Sequence, residues 1–191
     1  LKIIILISEG IWSSIKGIGL IILFSCIIGQ ILKESNSIKK FGNLILINLK
    51  NKSLLSLNIL GLFIGTVVFC DSAFLILNGI SKSIASSSSL SLNSLNLSLS
   101  GGLYTSHVLI PPTPGPIAAI NNFDILDKIG TVMILGIIVS IPSSIISFLF
   151  AKRLIGRYNF VDNFKPKNLE KPNNLAYLSI IIPLLLITLN T

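Results

Sequence analysis

A cluster of prolines, within residues 101 to 123, interrupts this otherwise apolar chain. The stretch holds four of the eight prolines and the single histidine, His107. The prolines are Pro111, Pro112, Pro114 and Pro116. Because proline has no N–H to donate, no continuous helix can cross this stretch. Inside hydrocarbon, such a break is tolerated only where the backbone is buried in protein or lines a water-filled cavity.

The composition predicts an integral membrane protein. Of the 191 residues, 51% are hydrophobic and 12% are charged, and the mean hydropathy is +0.86. A soluble domain carries about 25% charged residues. The net charge of +8 does not indicate nucleic-acid binding, because the basic residues gather in two loops between apolar segments. Basic loops of this kind are typical of the cytoplasmic side of a membrane.

Loop charge also predicts the topology. We predict spans over about 11–32, 54–80, 129–150 and 175–190, with basic cytoplasmic loops at 33–53 and 151–174. Two cytoplasmic loops need an even number of crossings between them, and 54–80 and 129–150 already supply two. The intervening segment, 84–123, is therefore predicted to be a re-entrant hairpin or a pair of crossings. The expected fold is all-α, with the proline-broken hairpin in one repeat of an inverted-repeat transporter.

The predicted span 54–80 contains Asp71 near its middle. A carboxylate at this depth costs about 2.5 to 3.5 kcal/mol on insertion scales. This cost favours a functional role, and the alternative is a structural hydrogen bond to a neighbouring helix. Gly61 and Gly65 in the same span are spaced for close helix packing.

Residues 81 to 100 are a low-complexity run of Ser, Leu and Asn. Part of the run alternates with period two, which on soluble rules predicts a strand. An open strand edge cannot lie in lipid. We therefore predict a polar-faced helix, packed inside the protein and leading into Gly101 and Gly102.

Other chemistries find little support in the sequence. Cys26 and Cys70 lie in apolar segments and are interpreted as small buried hydrophobes. Metal-ligand spacings, nucleotide-binding motifs and a nucleophile–base set are absent from the sequence. No metal or cofactor is therefore expected, and a membrane enzyme is a distant third interpretation. The chain starts at Leu1 without a signal-peptide pattern, and we expect its beginning to be missing.

Residues 107–119 read His-Val-Leu-Ile-Pro-Pro-Thr-Pro-Gly-Pro-Ile-Ala-Ala. This motif resembles the signature of the gluconate permease (GntP) family of proton-linked sugar-acid symporters, and it is the most specific of three such motifs. Phe-Cys-Asp-Ser-Ala-Phe at 69–74 is similar to the family's earlier acidic motif, and residues 14–29 resemble its amino-terminal part. The similarity runs from about Ser8 to Arg157. Family members are more than twice as long, so the resemblance covers their first half with some of the middle.

This resemblance implies proton-coupled uptake of gluconate or a related sugar acid across the cytoplasmic membrane. A carboxylate substrate needs N–H groups at a half-helix start, which Gly115 and Ile117 are expected to provide. Hydroxyl partners for the polyol would be Thr105, Ser106 and Thr113. Asp71 and His107 would carry the coupled proton. For His107 the alternative is a structural histidine bonded to a backbone carbonyl, and for the proline-rich loop a packing role alone.

The second interpretation is a truncated or split half-transporter, without function of its own. Transporter sites lie between two repeats, so one repeat cannot enclose a substrate alone. The chain would then need a second polypeptide, or a homo-oligomer, in the bilayer. The sequence leaves open whether the substrate is gluconate, another aldonate or a hydroxylated amino acid such as serine.

Overall fold

The structure, a computed structural model, describes residues 2–19, 52–88 and 90–154, with isolated positions between 23 and 42. Its defined α-helices are α1 (Lys2–Ser14), α2 (Ser53–Ile64), α3 (Cys70–Ser87), α4 (Leu92–Leu109), α5 (Pro114–Asn122) and α6 (Ile129–Arg153). A π-helical turn, Ile15–Gly19, follows α1, and a 3₁₀ turn, Leu126–Lys128, precedes α6. The described residues contain no strand, so the all-α prediction is confirmed for them.

Helix α4 lies at the centre and packs against α2, α3 and α6. The low-complexity run therefore forms a helix, as predicted. It begins at Ser91, whose hydroxyl accepts a hydrogen bond from the Ser94 N–H at 3.2 Å and so caps the helix. Its buried side alternates leucines with small residues: Ser94, Leu95, Ser98, Leu99, Gly102, Leu103 and Ser106. Small residues at these positions let neighbouring helices approach closely.

Helices α2 and α4 are in backbone contact where glycines face each other. A Cβ atom on Gly61 would lie 2.5 Å from the Leu99 carbonyl oxygen and 2.8 Å from the Leu103 nitrogen. A Cβ on Gly102 would lie 2.8 Å from the Leu62 nitrogen of the facing helix. No side chain fits at either position. The close packing predicted from the Gly61–Gly65 spacing is therefore confirmed.

One buried amide joins three helices at this interface. Asn58 of α2 donates through Nδ2 to the Ser98 carbonyl oxygen of α4 at 3.1 Å, and its Oδ1 accepts from the Ser144 hydroxyl of α6. The Ser98 hydroxyl in turn donates to the Leu54 carbonyl oxygen at 2.7 Å. Asn58 is only 2% exposed, so both ends of its amide are satisfied where water is absent.

Helix α6 has two different faces. Its interior stripe is mostly small: Gly130, Met133, Gly136, Ser140, Ser144 and Ala151. The opposite side exposes large apolar side chains, among them Ile134, Ile138 and Ile146. Leu126–Arg153 is the stretch that, among the described residues, is long and apolar enough to cross a membrane. An outward apolar face is the surface that a lipid bilayer would cover.

The stretch predicted as a single span over 54–80 is instead divided into α2 and α3. The helical hydrogen bonds end when the Val68 N–H reaches the Ile64 carbonyl oxygen at 2.9 Å, and Phe69 is extended. The β-branched run Thr66-Val67-Val68 disfavours helix. Asp71 then suits the first turn of a new helix, because a carboxylate is favourable at a helix N-terminus.

The remaining topology stays a prediction. Residues 43–51 and 155–191 are outside the described part of the chain, as are many positions between 20 and 41, Cys26 among them. The predicted span 175–190 therefore lies wholly outside it, and the span 11–32 and both basic loops lie partly outside. The re-entrant path of 84–123 and the inverted repeat likewise remain predictions.

Candidate functional site

Two helix breaks meet at one narrow cleft. The first break, residues 65–69, separates α2 from α3, and the second, residues 110–113, separates α4 from α5. The cleft is lined by Thr66, Val67, Val68, Phe69, His107, Pro112, Thr113 and Pro114. It is partly open, and about 200 Å³ of empty space lies within it and at its mouth. The proline-rich stretch therefore does border a cavity, and a second, proline-free break lies opposite it.

The proline break forms as the sequence predicts. Helix α4 ends at Leu109, and the Pro111–Pro112 peptide bond is cis. Helix α5 then starts at Pro114, and its first backbone hydrogen bond runs from the Ile117 N–H to the Thr113 carbonyl oxygen at 3.2 Å. Since Pro114 and Pro116 have no N–H, only Gly115 has a donor left over in this first turn.

Helix α3 also begins at the cleft without a side-chain cap. Its N-cap residue is Phe69, whose carbonyl oxygen accepts from the Ala73 N–H at 2.9 Å. The N–H groups of residues 70–72 therefore precede the first helical hydrogen bond. Two helix starts, each with the positive end of a helix dipole, thus border the same space. This arrangement suits an anion.

Asp71 lies in the first turn of α3 with its side chain exposed. Its Oδ1 accepts a hydrogen bond from the Tyr104 hydroxyl of α4 at 3.1 Å. The Cys70 thiol also donates to Oδ1, at 3.8 Å. Asp71 thus makes the contact expected of a structural carboxylate, a bond to a neighbouring helix. Its role in proton coupling stays a prediction.

His107 faces the cleft from α4 and is half-buried. Its ring packs against Phe69 with centroids 5.7 Å apart and planes inclined by 55°. Its Nδ1 atom is buried and has no hydrogen-bond partner. The geometry at Nδ1 therefore does not support the alternative, a structural histidine bonded to a backbone carbonyl. A buried ring nitrogen without a partner is uncommon, and it leaves Nδ1 free to accept a hydrogen bond.

The predicted substrate contacts divide into two groups. Thr113 lines the cleft, although its hydroxyl donates to the Ile110 carbonyl oxygen at 2.7 Å. Gly115 is exposed in the first turn of α5, and a Cβ there would meet nothing within 4 Å. Ile117 is buried in the same helix, 1% exposed, and its N–H donates to the Thr113 carbonyl oxygen, so this N–H is not available to a substrate as expected.

Thr105 and Ser106 are not among the cleft residues. The Thr105 hydroxyl donates to the Gly101 carbonyl oxygen at 2.6 Å, within α4. Ser106 is fully buried and packs where a Cβ on Gly65 would be. Both hydroxyls therefore donate to carbonyl oxygens of their own helix instead of pointing to the cleft.

The sequence interpretation missed two polar residues, Tyr104 and Thr66. Tyr104 precedes His107 by three residues, so the two share a face of α4. This spacing is a signal that could have identified it. Thr66 carries no such signal, because it lines the cleft only after the chain breaks at residues 65–69. Within the described ranges, no group of three or more His, Cys, Asp or Glu could hold a metal ion.

Comparisons with known proteins agree with the resemblance. A family model described as GntP family permease matches residues 1–191. The chain is 28% identical over 184 residues to a high-affinity gluconate transporter of Escherichia coli, covering 92% of this chain and 40% of that protein. It is 26% identical over 168 residues to the Gnt-II system L-idonate transporter of the same organism, covering 87% and 37%.

A third relative is an uncharacterized permease of Haemophilus influenzae, 27% identical over 200 residues, which cover 95% of this chain and 40% of the permease. The chain thus spans about 40% of the length of the curated relatives it matches. No solved structure matches it.

Proposed function

Since the chain belongs to the GntP family of permeases, we propose that it forms part of a secondary transporter for gluconate or a related sugar acid. The observation that carries this proposal is the meeting of two broken helices at one cleft. Relatives named as gluconate and L-idonate transporters support the substrate class. The family is one of permeases, so the function is transport and not catalysis. The protein would be a multi-pass protein of the cytoplasmic membrane.

The substrate carboxylate would bind at the two helix starts. Cys70 begins α3 and Pro114 begins α5, each without a side-chain cap. Discontinuous helices whose N-termini point at an anion are a known device of secondary transporters. The substrate hydroxyls would meet Thr113 and Thr66, the two threonines of the cleft. A site of this kind would select an anion that also carries hydroxyl groups.

Proton coupling is the second part of the proposal. Asp71 and His107 would be the two side chains that carry the coupled proton. Phe69 packs on the ring of His107, and Tyr104 donates a hydrogen bond to Asp71, so the two groups are connected indirectly. A coupled proton would alter the charge beside the helix starts where the substrate anion binds. Such a change gives the proton a direct effect on substrate affinity.

The cleft supports the second interpretation too, in which another polypeptide completes the site. The cleft is partly open, so the residues that line it do not enclose a ligand by themselves. Asp71 is exposed, and a carboxylate left exposed to lipid is costly. We therefore propose that the active transporter covers this side of the cleft with a second half or a second copy.

Labelled gluconate uptake into proteoliposomes with an imposed pH gradient tests the proposal. The chain would be reconstituted alone and together with the carboxyl-terminal part of the Escherichia coli high-affinity gluconate transporter. We expect gradient-driven uptake from the combined preparation, and competition by unlabelled idonate but not by serine. Asp71→Asn should reduce uptake to the level seen without a gradient.

The matched control is Asp127→Asn, the same substitution in the exposed turn before α6. It should leave uptake unchanged. Uptake that is insensitive both to Asp71→Asn and to collapse of the gradient would contradict proton coupling. Uptake of serine in place of gluconate would contradict the substrate class.

A further inference from the structure

The beginning of α3 is attached to α4 at two points. Phe69 packs on the ring of His107, with centroids 5.7 Å apart, and Asp71 accepts the hydroxyl of Tyr104 at 3.1 Å. Tyr104 and His107 are one helical turn apart on α4. The two contacts therefore hold opposite ends of a three-residue segment, 69–71. Between them lies Cys70, which is 5% exposed.

The two contacts differ in how they respond to protonation. The packing of Phe69 on His107 is a contact between rings. The contact between Tyr104 and Asp71 depends on charge, because an ionised carboxylate is a stronger acceptor than a neutral carboxyl group. The titratable groups near Asp71 are Cys70 on its own helix and Tyr104 and His107 on α4. Helices α2 and α5 contain no titratable side chain.

We propose that Tyr104 is a positioning residue for Asp71. Its hydroxyl holds the ionised carboxylate on α4, and so fixes the start of α3 at the edge of the cleft. Protonation of Asp71 removes the charge from this bond and releases the start of α3. Resting on the proposed function, this step gives the coupled proton a mechanical effect: it frees one of the two helix starts that bind the substrate anion.

Cys70 provides a reporter that does not require transport. A buried thiol is alkylated only when its surroundings open locally, so its rate measures that opening once it is divided by the rate of the same variant unfolded in sodium dodecyl sulfate at the same pH. The full chain, with Cys26→Ser as the background, would be treated with N-ethylmaleimide in lipid nanodiscs. The rate would be compared for the parent, Tyr104→Phe, Asp71→Asn and the double variant.

We expect each single variant to react about three to ten times faster than the parent, the effect of losing one exposed hydrogen bond of ordinary strength. The double variant should react no faster than the singles, because both remove the same contact. Ser143→Ala is the control. It also removes one hydroxyl, which bonds to the Val139 carbonyl oxygen in α6 at 3.0 Å, and it should leave the rate unchanged.

The pH profile separates positioning from a purely structural role. Where Asp71 is ionised, the parent should be alkylated more slowly than Tyr104→Phe. The ratio of the two rates should approach one as Asp71 is protonated. A ratio that is constant with pH would overturn the proposal, and so would a double variant whose effects multiply. Because the phenylalanine keeps the ring, the variant is expected to fold, and the pH profile of the parent against Asp71→Asn gives the same test. If the alkylation rates change as expected but no gluconate is taken up, only the proposed transport function is contradicted.

Discussion

The two sides of α4 contain similar types of residue but differ in how tightly they are packed and bonded. Toward α2 and α6 its glycines and serines are closely packed, and the buried amide of Asn58 has a partner at each end. Toward the cleft, the Nδ1 atom of His107 has no partner and the charge of Asp71 is exposed. The first surface holds the helices in a fixed register. At the second surface the hydrogen bond of Asp71 is exposed and that of Thr113 is local, so this surface is held less firmly than the first.

This difference indicates how the cleft is built. The α2–α4 contact lies directly before both breaks, since α2 ends at Ile64 and α4 ends at Leu109. A fixed register between these helices therefore places residues 65–69 opposite residues 110–113. The rigid interface positions a site that is itself only partly held together.

The largest loss of stability is expected where α2 and α4 are in backbone contact. Gly102→Ala would place a Cβ 2.8 Å from the Leu62 nitrogen, so α2 and α4 would have to separate. We expect a loss of about 3 kcal/mol in the free energy of unfolding, measured by titration with sodium dodecyl sulfate in mixed micelles. The control is Gly79→Ala in α3, where a Cβ meets nothing within 4 Å. It should be neutral or stabilise by up to about 1 kcal/mol, and an equal loss in both would show that the close approach is not the cause.

A smaller effect is expected from removing the buried amide. Asn58→Leu removes the partner of the Ser144 hydroxyl and the second hydrogen bond of the Ser98 carbonyl oxygen. The same titration should show a loss of about 2 kcal/mol. Asn93→Leu, at an exposed position of α4, should change stability by no more than about 0.5 kcal/mol. Similar values for the two variants would mean that the amide does not hold the three helices together.

The smallest effect on stability is expected at the cleft. His107→Phe keeps an aromatic ring against Phe69 and removes the unpartnered Nδ1 atom. The free energy of unfolding should stay within about 1 kcal/mol of the parent, while gradient-driven gluconate uptake is lost. A large loss of stability would place His107 with the packed interface, and full uptake would remove it from the proposed coupling pathway.

Local chemistry explains which structural predictions were confirmed. Four prolines within six residues leave no helical alternative, so the break and the start of α5 follow from the sequence. The serine-rich run is helical because a strand edge finds no partner there. The break at 65–69 was missed because an apolar segment with Thr and Val matches a membrane span equally well. Only the structure distinguishes the two, because it shows that the helical hydrogen bonds of α2 stop at Val68.

The candidate site was predictable only in part, for a similar reason. Asp71, His107 and Thr113 could be identified by residue type and motif, and they lie at or beside the cleft. Thr105 and Ser106 have the right chemistry, but helix rotation turns them away from it. Tyr104 reaches Asp71 across 33 positions of sequence. No local pattern encodes that distance.

The sequence by itself determined the class of protein, the family and the proline break, because composition, motif and missing N–H groups are properties of the chain. The tertiary structure decided that a second break faces the first and that Tyr104 holds Asp71. It also decided that Asn58 binds α4 and α6. These are contacts between helices, and they depend on the rotation and register at which glycine and serine surfaces meet.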